Sequence, residues 1–287
     1  MADLKVKNLN LDVGNGLTYL QNIAVDKSIL KYIGLKTLVF EKDATYSEAL
    51  DSIEACIVAV EGKVNVKVNN EISYEDIGQR QNNFDKNPTD AVYVTNGDNF
   101  EITTNSKGRV VIGYAKTNKK MESVLIKGED TETEHRGKGM NVRDVNNILA
   151  DDSPISDQLI VVEVYTGEAN WSSYPPHKHD TATDEETFLE EIYYHEQDKE
   201  QGFVFQRIYT DDLDLDETMT VNNYDTVLVP KGYHPVAVPY GYNSYYLNVM
   251  AGPHKEWKFH NQKEHEWIID RKDIWCTKLK IILMVNL

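Results

Sequence analysis

WSSYPPHKHDTATDEETFLEEIYYH, residues 171–195, sets two histidines close together and then runs through turn-forming residues into a strand-like LEEIYYH. Side chains on a β-strand alternate between faces. His177 and His179 can therefore aim two imidazoles at one point while Lys178 turns away. Glu191 follows twelve residues after His179, which leaves room for the chain to return antiparallel with its carboxylate beside the rings. Pro175 and Pro176 stiffen the approach by fixing φ. His234 closes Val229-Pro230-Lys231-Gly232-Tyr233-His234, a Pro/Gly turn at a strand end. Three imidazoles and one carboxylate suit one divalent ion, zinc or manganese, with iron, cobalt or nickel also accommodated. Singly, each histidine reads as a surface or hydrogen-bonded core residue; the four together favour a metal.

The chain has 287 residues, 40% of them apolar, enough for one large core or two ordinary ones. Forty-seven acidic residues against 30 Lys and Arg give a net charge of −17. That balance opposes binding to nucleic acid or anionic membranes. An anionic substrate would then need local positive charge from a metal, an arginine or a lysine. Cys56 and Cys276 lie far apart and form neither a disulfide framework nor a zinc knuckle. The N-terminus lacks a signal-peptide core, and no apolar run reaches the ~20 residues of a membrane span. The expected location is cytoplasmic, with Asn170-Trp171-Ser172 matching a glycosylation sequon by chance.

Elsewhere the pattern is short strands between turns, which argues for an all-β fold of sandwiches or barrels with few helices. In the first half the strands are Leu35–Phe40, the two runs of Ala55–Val68 around Glu61-Gly62, Ala91–Val94, Phe100–Thr104 and Val110–Tyr114. In the second they are Leu159–Tyr165, Glu190–His195, Gly202–Tyr209, Met219–Asn222, Thr226–Val229 and Ser244–Val249. Residues 1–117 read as one barrel and 158–270 as another. Residues 118–157 read as a solvated linker carrying a short helix at Val142–Leu149; the alternative has Arg136 or Arg143 reaching a neighbouring pocket. The tail, 271–287, is atypical, and Lys280–Val285 suits an added strand or a homo-oligomer contact.

The halves can be overlaid. Ala91–Gly97 matches Thr226–Gly232, which puts Asn99 where His234 stands and Ala55 where Glu191 stands. All eight histidines lie at or beyond His135. If the chain is a duplicated barrel, only the second copy can hold a metal.

His177-x-His179, with Glu191 opening Glu-x-x-Tyr, resembles the first motif of the cupin superfamily, and Pro230-x-Gly232-x-His234 resembles the second. Two departures are that His234 comes one residue early after the Gly and that Asn223-Tyr224-Asp225 replaces the usual Gly-Asp turn. Glu190 competes with Glu191 as the ligand, and the Glu-x-x-Tyr register favours Glu191. NWSSYPPHKHD, LEEIYYH, GFVFQRIYTDD, LDET, VLVPKGYHPV and YYLNVMAGP further resemble the 5-deoxy-glucuronate isomerase family of myo-inositol catabolism. GLKTLVFEKDATY, VEGKVNVKV, YEDIGQR, AVYV and HRGKGMNVRDVNNIL are similar too, so the resemblance covers about residues 30–270. It implies two tandem cupin-type barrels (a bicupin of jelly-roll type) and isomerisation of 5-deoxy-D-glucuronate, a small sugar acid, to 5-dehydro-2-deoxy-D-gluconate.

An aldose–ketose isomerisation needs stabilisation of a developing oxyanion and a group to move the proton, for which Tyr193, Tyr246 and Glu190 are the candidates. The substrate carboxylate calls for a guanidinium, for which Arg207 is the first choice and Lys178 the second, although an outward salt bridge explains Arg207 as well. The alternatives are a related uronate ketol-isomerase acting on 4-deoxy-L-threo-5-hexosulose-uronate, a cupin dioxygenase using iron, and a non-catalytic sugar-binding bicupin.

Overall fold

The computed structural model describes residues 3–271, and within them the regular structure is β-strand broken by three short 3-10 turns. Every strand pair is antiparallel. In the first half, a seven-stranded sheet built around Ile53–Glu61 and Gly108–Lys116 faces a four-stranded sheet of Thr45–Ala49, Asn99–Thr103, Val64–Val68 and Ile72–Ile77. Leu38, Phe40, Ile57, Val66, Phe100 and Ile102 fill the space between them. The second half repeats the plan. Seven strands centred on Glu190–Gln197 and Ser244–Ala251 face four centred on Phe203–Tyr209, with Val162, Tyr193, Val204, Val221, Val229 and Met250 inside. The molecule is therefore a tandem pair of jelly-roll barrels.

A third core lies where the two seven-stranded sheets meet back to back, and it includes Cys56, Val58, Val60 and Tyr93 with Ile192, Tyr194, Leu247 and Val249. Those sheets are consequently buried on both faces. This is why Ile53–Glu61 and Ser244–Ala251 read as almost unbroken apolar runs, whereas Val64–Val68, with one wet face, alternates. The overlay of the halves holds in the pairing register: Ala55 lies opposite Val94 as Glu191 lies opposite Val229.

The equivalent residues Glu54 and Glu190 each reach into the other half. Glu54 accepts from the backbone N–H groups of Asp157, Gln158 and Leu159 at 2.7–2.9 Å. Glu190 accepts from those of Lys31 and Tyr32 at 2.8–3.0 Å. Arg80 of the first half pairs at 2.7 Å with Glu163 of the second, both fully buried. Arg109 bridges Glu61 and Glu196.

Two sequence expectations are corrected. Val142–Leu149 does not form a helix; Arg143–Leu149 is a strand beside Ile160–Thr166. Its apolar spacing mimics a helix because an irregularity between Asn147 and Leu149 interrupts the alternation, turning Ile148 and Leu149 both toward the inter-sheet core. Nor is the segment around it a bare linker. Val124–Ile126 pairs with Ala91–Val94, and Glu132–Arg136 pairs with Arg143–Leu149 at the edge of the second sheet. Lys5–Val6 also crosses over, pairing with Thr226–Val229. The reading of Lys280–Val285 falls outside the described residues. Among those described, no helix is long and apolar enough to cross a membrane.

Removing one partner of a buried ion pair strands the other charge, at a cost of about 3–5 kcal/mol. Arg80→Met is expected to lower unfolding stability by that amount in urea titration, and an unchanged midpoint would contradict the role given to the pair.

Candidate metal centre

Strand Glu190–Gln197 runs between Thr226–Val229 and Ser244–Ala251. Its even residues Ile192 and Tyr194 enter the inter-sheet core, so its odd residues face the second barrel. Glu191 and Tyr193 line a cavity there. His179 follows the short strand His177–Lys178, which pairs with His260–Asn261. The His179 backbone carbonyl accepts from Leu189 N–H, and its ring Nδ1 lies 2.9 Å from Leu189 O. His234 is set by the turn before it. Gly232 has φ +91°, and a Cβ there would meet Tyr209 O at 2.5 Å, so only glycine closes this turn. The Gly232 N–H donates to Asp180 at 2.8 Å, and His234 Nδ1 lies 2.9 Å from Gly232 O.

A carbonyl oxygen can only accept, so in both rings Nδ1 carries the hydrogen and Nε2 keeps its lone pair. This is the arrangement that orients a histidine as a metal ligand. The two Nε2 atoms converge on one Glu191 oxygen, at 3.1 Å from His179 and 3.3 Å from His234. The ligand atoms of His179, Glu191 and His234 all lie within 4.8 Å of one another. His234 Nε2 is buried without a hydrogen-bond partner, an arrangement that costs free energy unless something accepts its lone pair. Two nitrogens and a carboxylate fit a divalent first-row ion.

His177 stands on the same cavity wall. Its ring centre is 4.9 Å from that of His234 and 6.4 Å from that of His179, and it packs on Phe259. Its nitrogens lie outside the three-residue group. Burial pushes His177 and His234 below the usual imidazole range. Burial acts the same way on His179, but the hydrogen bond and charge of Glu191 outweigh it and raise the pKa.

The cavity is tight, with a free volume of about 30 Å³ between its side chains. Arg136, Arg143, Ser173, Tyr246, Asn248 and Trp257 complete its polar and aromatic lining. The Tyr193 hydroxyl lies 2.9 Å from Ser173 Oγ, and its ring packs 4.8 Å from that of Tyr246. Burial raises the pKa of both phenols. A wider cleft of about 610 Å³ in the first half is lined by Glu75, Asp76, Asp90 and Glu129 and contains no histidine; chemistry, not size, selects the smaller cavity. Behind Tyr193, His195 is stacked on its ring and held by Gln206 at 3.0 Å, and burial depresses its pKa to about 4.

Three residues chosen from sequence lie elsewhere. Glu190 faces the first half, as strand alternation requires, and its carboxylate is occupied by the Lys31 and Tyr32 amides. Arg207 pairs bidentately with Asp216 and stacks on Tyr209, outside the cavity. Lys178 is buried but points away from the histidines, toward Asp180 and Glu186. Conversely, Ser173, Asn248 and Trp257 escaped the sequence reading as site residues. Asn248 was detectable as a polar residue on the barrel-facing side of strand Ser244–Ala251, between Tyr246 and Met250. Trp257 reaches the site from a covering segment whose docking no local pattern reveals.

The KduI/IolB family model matches residues 7–268. A 5-deoxy-glucuronate isomerase of Halalkalibacterium halodurans is 52% identical over 271 residues, covering 94% of this chain and all of that one. The crystal structure of an IolB-like protein from Salmonella typhimurium superposes with a TM-score of 0.88 at 40% identity, covering 93% of this chain and 99% of that one. Oxalate decarboxylase of Lactobacillus farciminis shares the two-barrel fold, with a TM-score of 0.66 at 8% identity over 95% of this chain and 91% of its own.

Elemental analysis is expected to find about one divalent ion per chain and to find it lost in Glu191→Gln; equal metal in both would remove Glu191 from the ligand set. His195 gives a separate acid signature. Its folded pKa of about 4 lies below the ordinary value near 6.5, so between those values the unfolded chain binds the extra proton and stability falls with pH. From pH 7 to pH 5 this group should cost about 2 kcal/mol. Urea titrations of the parent and His195→Gln should differ in pH dependence by that amount, and parallel curves would refute the assignment.

Proposed function

The chain belongs to the KduI/IolB family, and on that premise we propose that it is a metal-dependent aldose–ketose isomerase acting on 5-deoxy-D-glucuronate. Its product is 5-dehydro-2-deoxy-D-gluconate, in the breakdown of myo-inositol. The observation that carries this reading is the convergence of two Nε2 lone pairs on the carboxylate of Glu191, which itself lines a cavity inside the second barrel. His179, Glu191 and His234 would hold the ion, with His177, on the same cavity wall as Glu191, as the candidate fourth ligand. When bound, the ion polarises the substrate carbonyl as a Lewis acid and eases proton loss at the neighbouring carbon. Zinc and manganese both suit these donors.

The chain's own groups supply the rest. Trp257 closes part of the cavity, and Phe259 packs behind His177 with ring centres 4.7 Å apart, which restricts water at the site. Tyr246 is kept protonated by burial, so its hydroxyl can donate a hydrogen bond to an oxygen on which negative charge develops. Ser173 fixes the Tyr193 hydroxyl at 2.9 Å and so pre-positions it toward the same space. With Glu190 facing the other half, Tyr193 and Tyr246 are the candidates left for proton movement.

The test is conversion of 5-deoxy-glucuronate to its ketose by purified, stripped and reloaded protein. Stripping, or His179→Ala, should reduce turnover by at least about 1,000-fold, since a Lewis-acid metal supplies several kcal/mol. Reloading with zinc or manganese should restore only the stripped parent. Full turnover by metal-free protein would end this reading.

A further inference from the structure

We propose that Arg143 binds the carboxylate of the sugar acid, an assignment that rests on the isomerase reading above. Its guanidinium lines the cavity together with His177, Glu191, Tyr193 and Tyr246. Among the described residues, Arg80, Arg109, Arg136 and Arg207 each pair with an aspartate or glutamate, and Arg143 pairs with none. Its only hydrogen bonds there run from Nη1 to the carbonyls of Asn141 at 2.9 Å and Tyr174 at 3.3 Å. Burial and the neighbouring Arg136 lower its pKa. An inward guanidinium without a counter-ion is costly in any protein. It is more conspicuous in a chain of net charge −17, where a carboxylate partner could easily have been supplied.

The loop before Arg143 is shaped to hold it. Gly137 has φ +87°, and a Cβ there would meet Asn141 O at 1.9 Å and Arg143 Nη1 at 2.9 Å. Asn141 accepts from Lys138 N–H at 2.8 Å and donates to Tyr174 O at 3.1 Å, closing the turn. The loop therefore engages one nitrogen of the guanidinium and leaves Nε and Nη2 for a ligand, the edge that takes a carboxylate bidentately. Arg136, at the same cavity, is already paired with Glu134 and lies over Trp257. One uncompensated positive charge matches one carboxylate. A uronate held at Arg143 by its acid end would extend toward Glu191 and His177 on the same cavity wall, beside the His179 and His234 rings that converge on Glu191.

The experiment compares metal-loaded parent, Arg143→Met and Arg143→Lys on 5-deoxy-glucuronate and on 5-deoxyglucose, in which a hydroxymethyl group replaces the carboxylate. The parent should prefer the acid, and Arg143→Met should cut the acid-to-neutral ratio of kcat/KM about 100-fold, mostly through KM, as expected for a charge-assisted hydrogen-bonded pair. Arg143→Lys should recover part of that ratio. A purely structural role for Arg143 would slow both sugars alike and leave the ratio unchanged, which would overturn the proposal. Calorimetric binding of the same two sugars separates this from the isomerase reading. If the parent turns over neither sugar but binds the acid, and Arg143→Met does not, the isomerase reading falls and the carboxylate site stands. Equal binding by both proteins would refute the site.

Discussion

Between the two seven-stranded sheets, Ile192 and Tyr194 share a core with Val58 and Tyr93 of the other half, while Glu191 and Tyr193 on the same strand face the second barrel. A shift of one residue in that strand would send every side chain to the opposite face. Glu191 would leave the histidines and Glu190 would replace it. Glu190 opposes the shift, because its carboxylate is held by the amides of Lys31 and Tyr32. The first barrel, which has Ala55 at the place of Glu191, thus contributes to the candidate metal centre by fixing the strand that carries its carboxylate. A barrel without ligands of its own still fixes the geometry of the other.

Much of this was legible because it rests on period two. The facing of Glu191 opposite to Glu190 and the register between the halves follow from strand alternation and turn chemistry, whereas His177, expected to aim with His179 at one point, lies outside the group of His179, Glu191 and His234. What escaped depends on partners distant in sequence. Arg143–Leu149 looks helical until its irregular pairing with Ile160–Thr166 is known. Arg207 was chosen on side-chain chemistry, yet Asp216 on the neighbouring strand claims it. Lys178 was placed correctly as turning away from the histidines, but nothing local announced Glu186 as its partner. Arg136 and Arg143 lie in a segment of linker-like composition, and their direction is fixed by edge strands that join the second sheet.

The distribution of charge follows from the same packing. The chain is acidic overall, with a net charge of −17, but the cavity gathers Arg136, Arg143, the neutral phenols of Tyr193 and Tyr246, and His177, whose pKa burial lowers, around the single carboxylate of Glu191. A small anion approaching this chain meets general repulsion and one local attraction.

The Lys5–Val6 strand carries a temporal consequence. It closes the edge beside Thr226–Val229, with Leu4 buried in the second barrel's core and Asn8 N–H bonded to Asp225. On the ribosome these residues emerge long before their partners. They must remain available through synthesis of the entire first barrel, and the edge leading to His234 stays open until they dock. Such long-range pairing is slow and leaves strand edges transiently exposed. Nascent chains should therefore acquire metal affinity late, after translation has passed both ends of the second sheet.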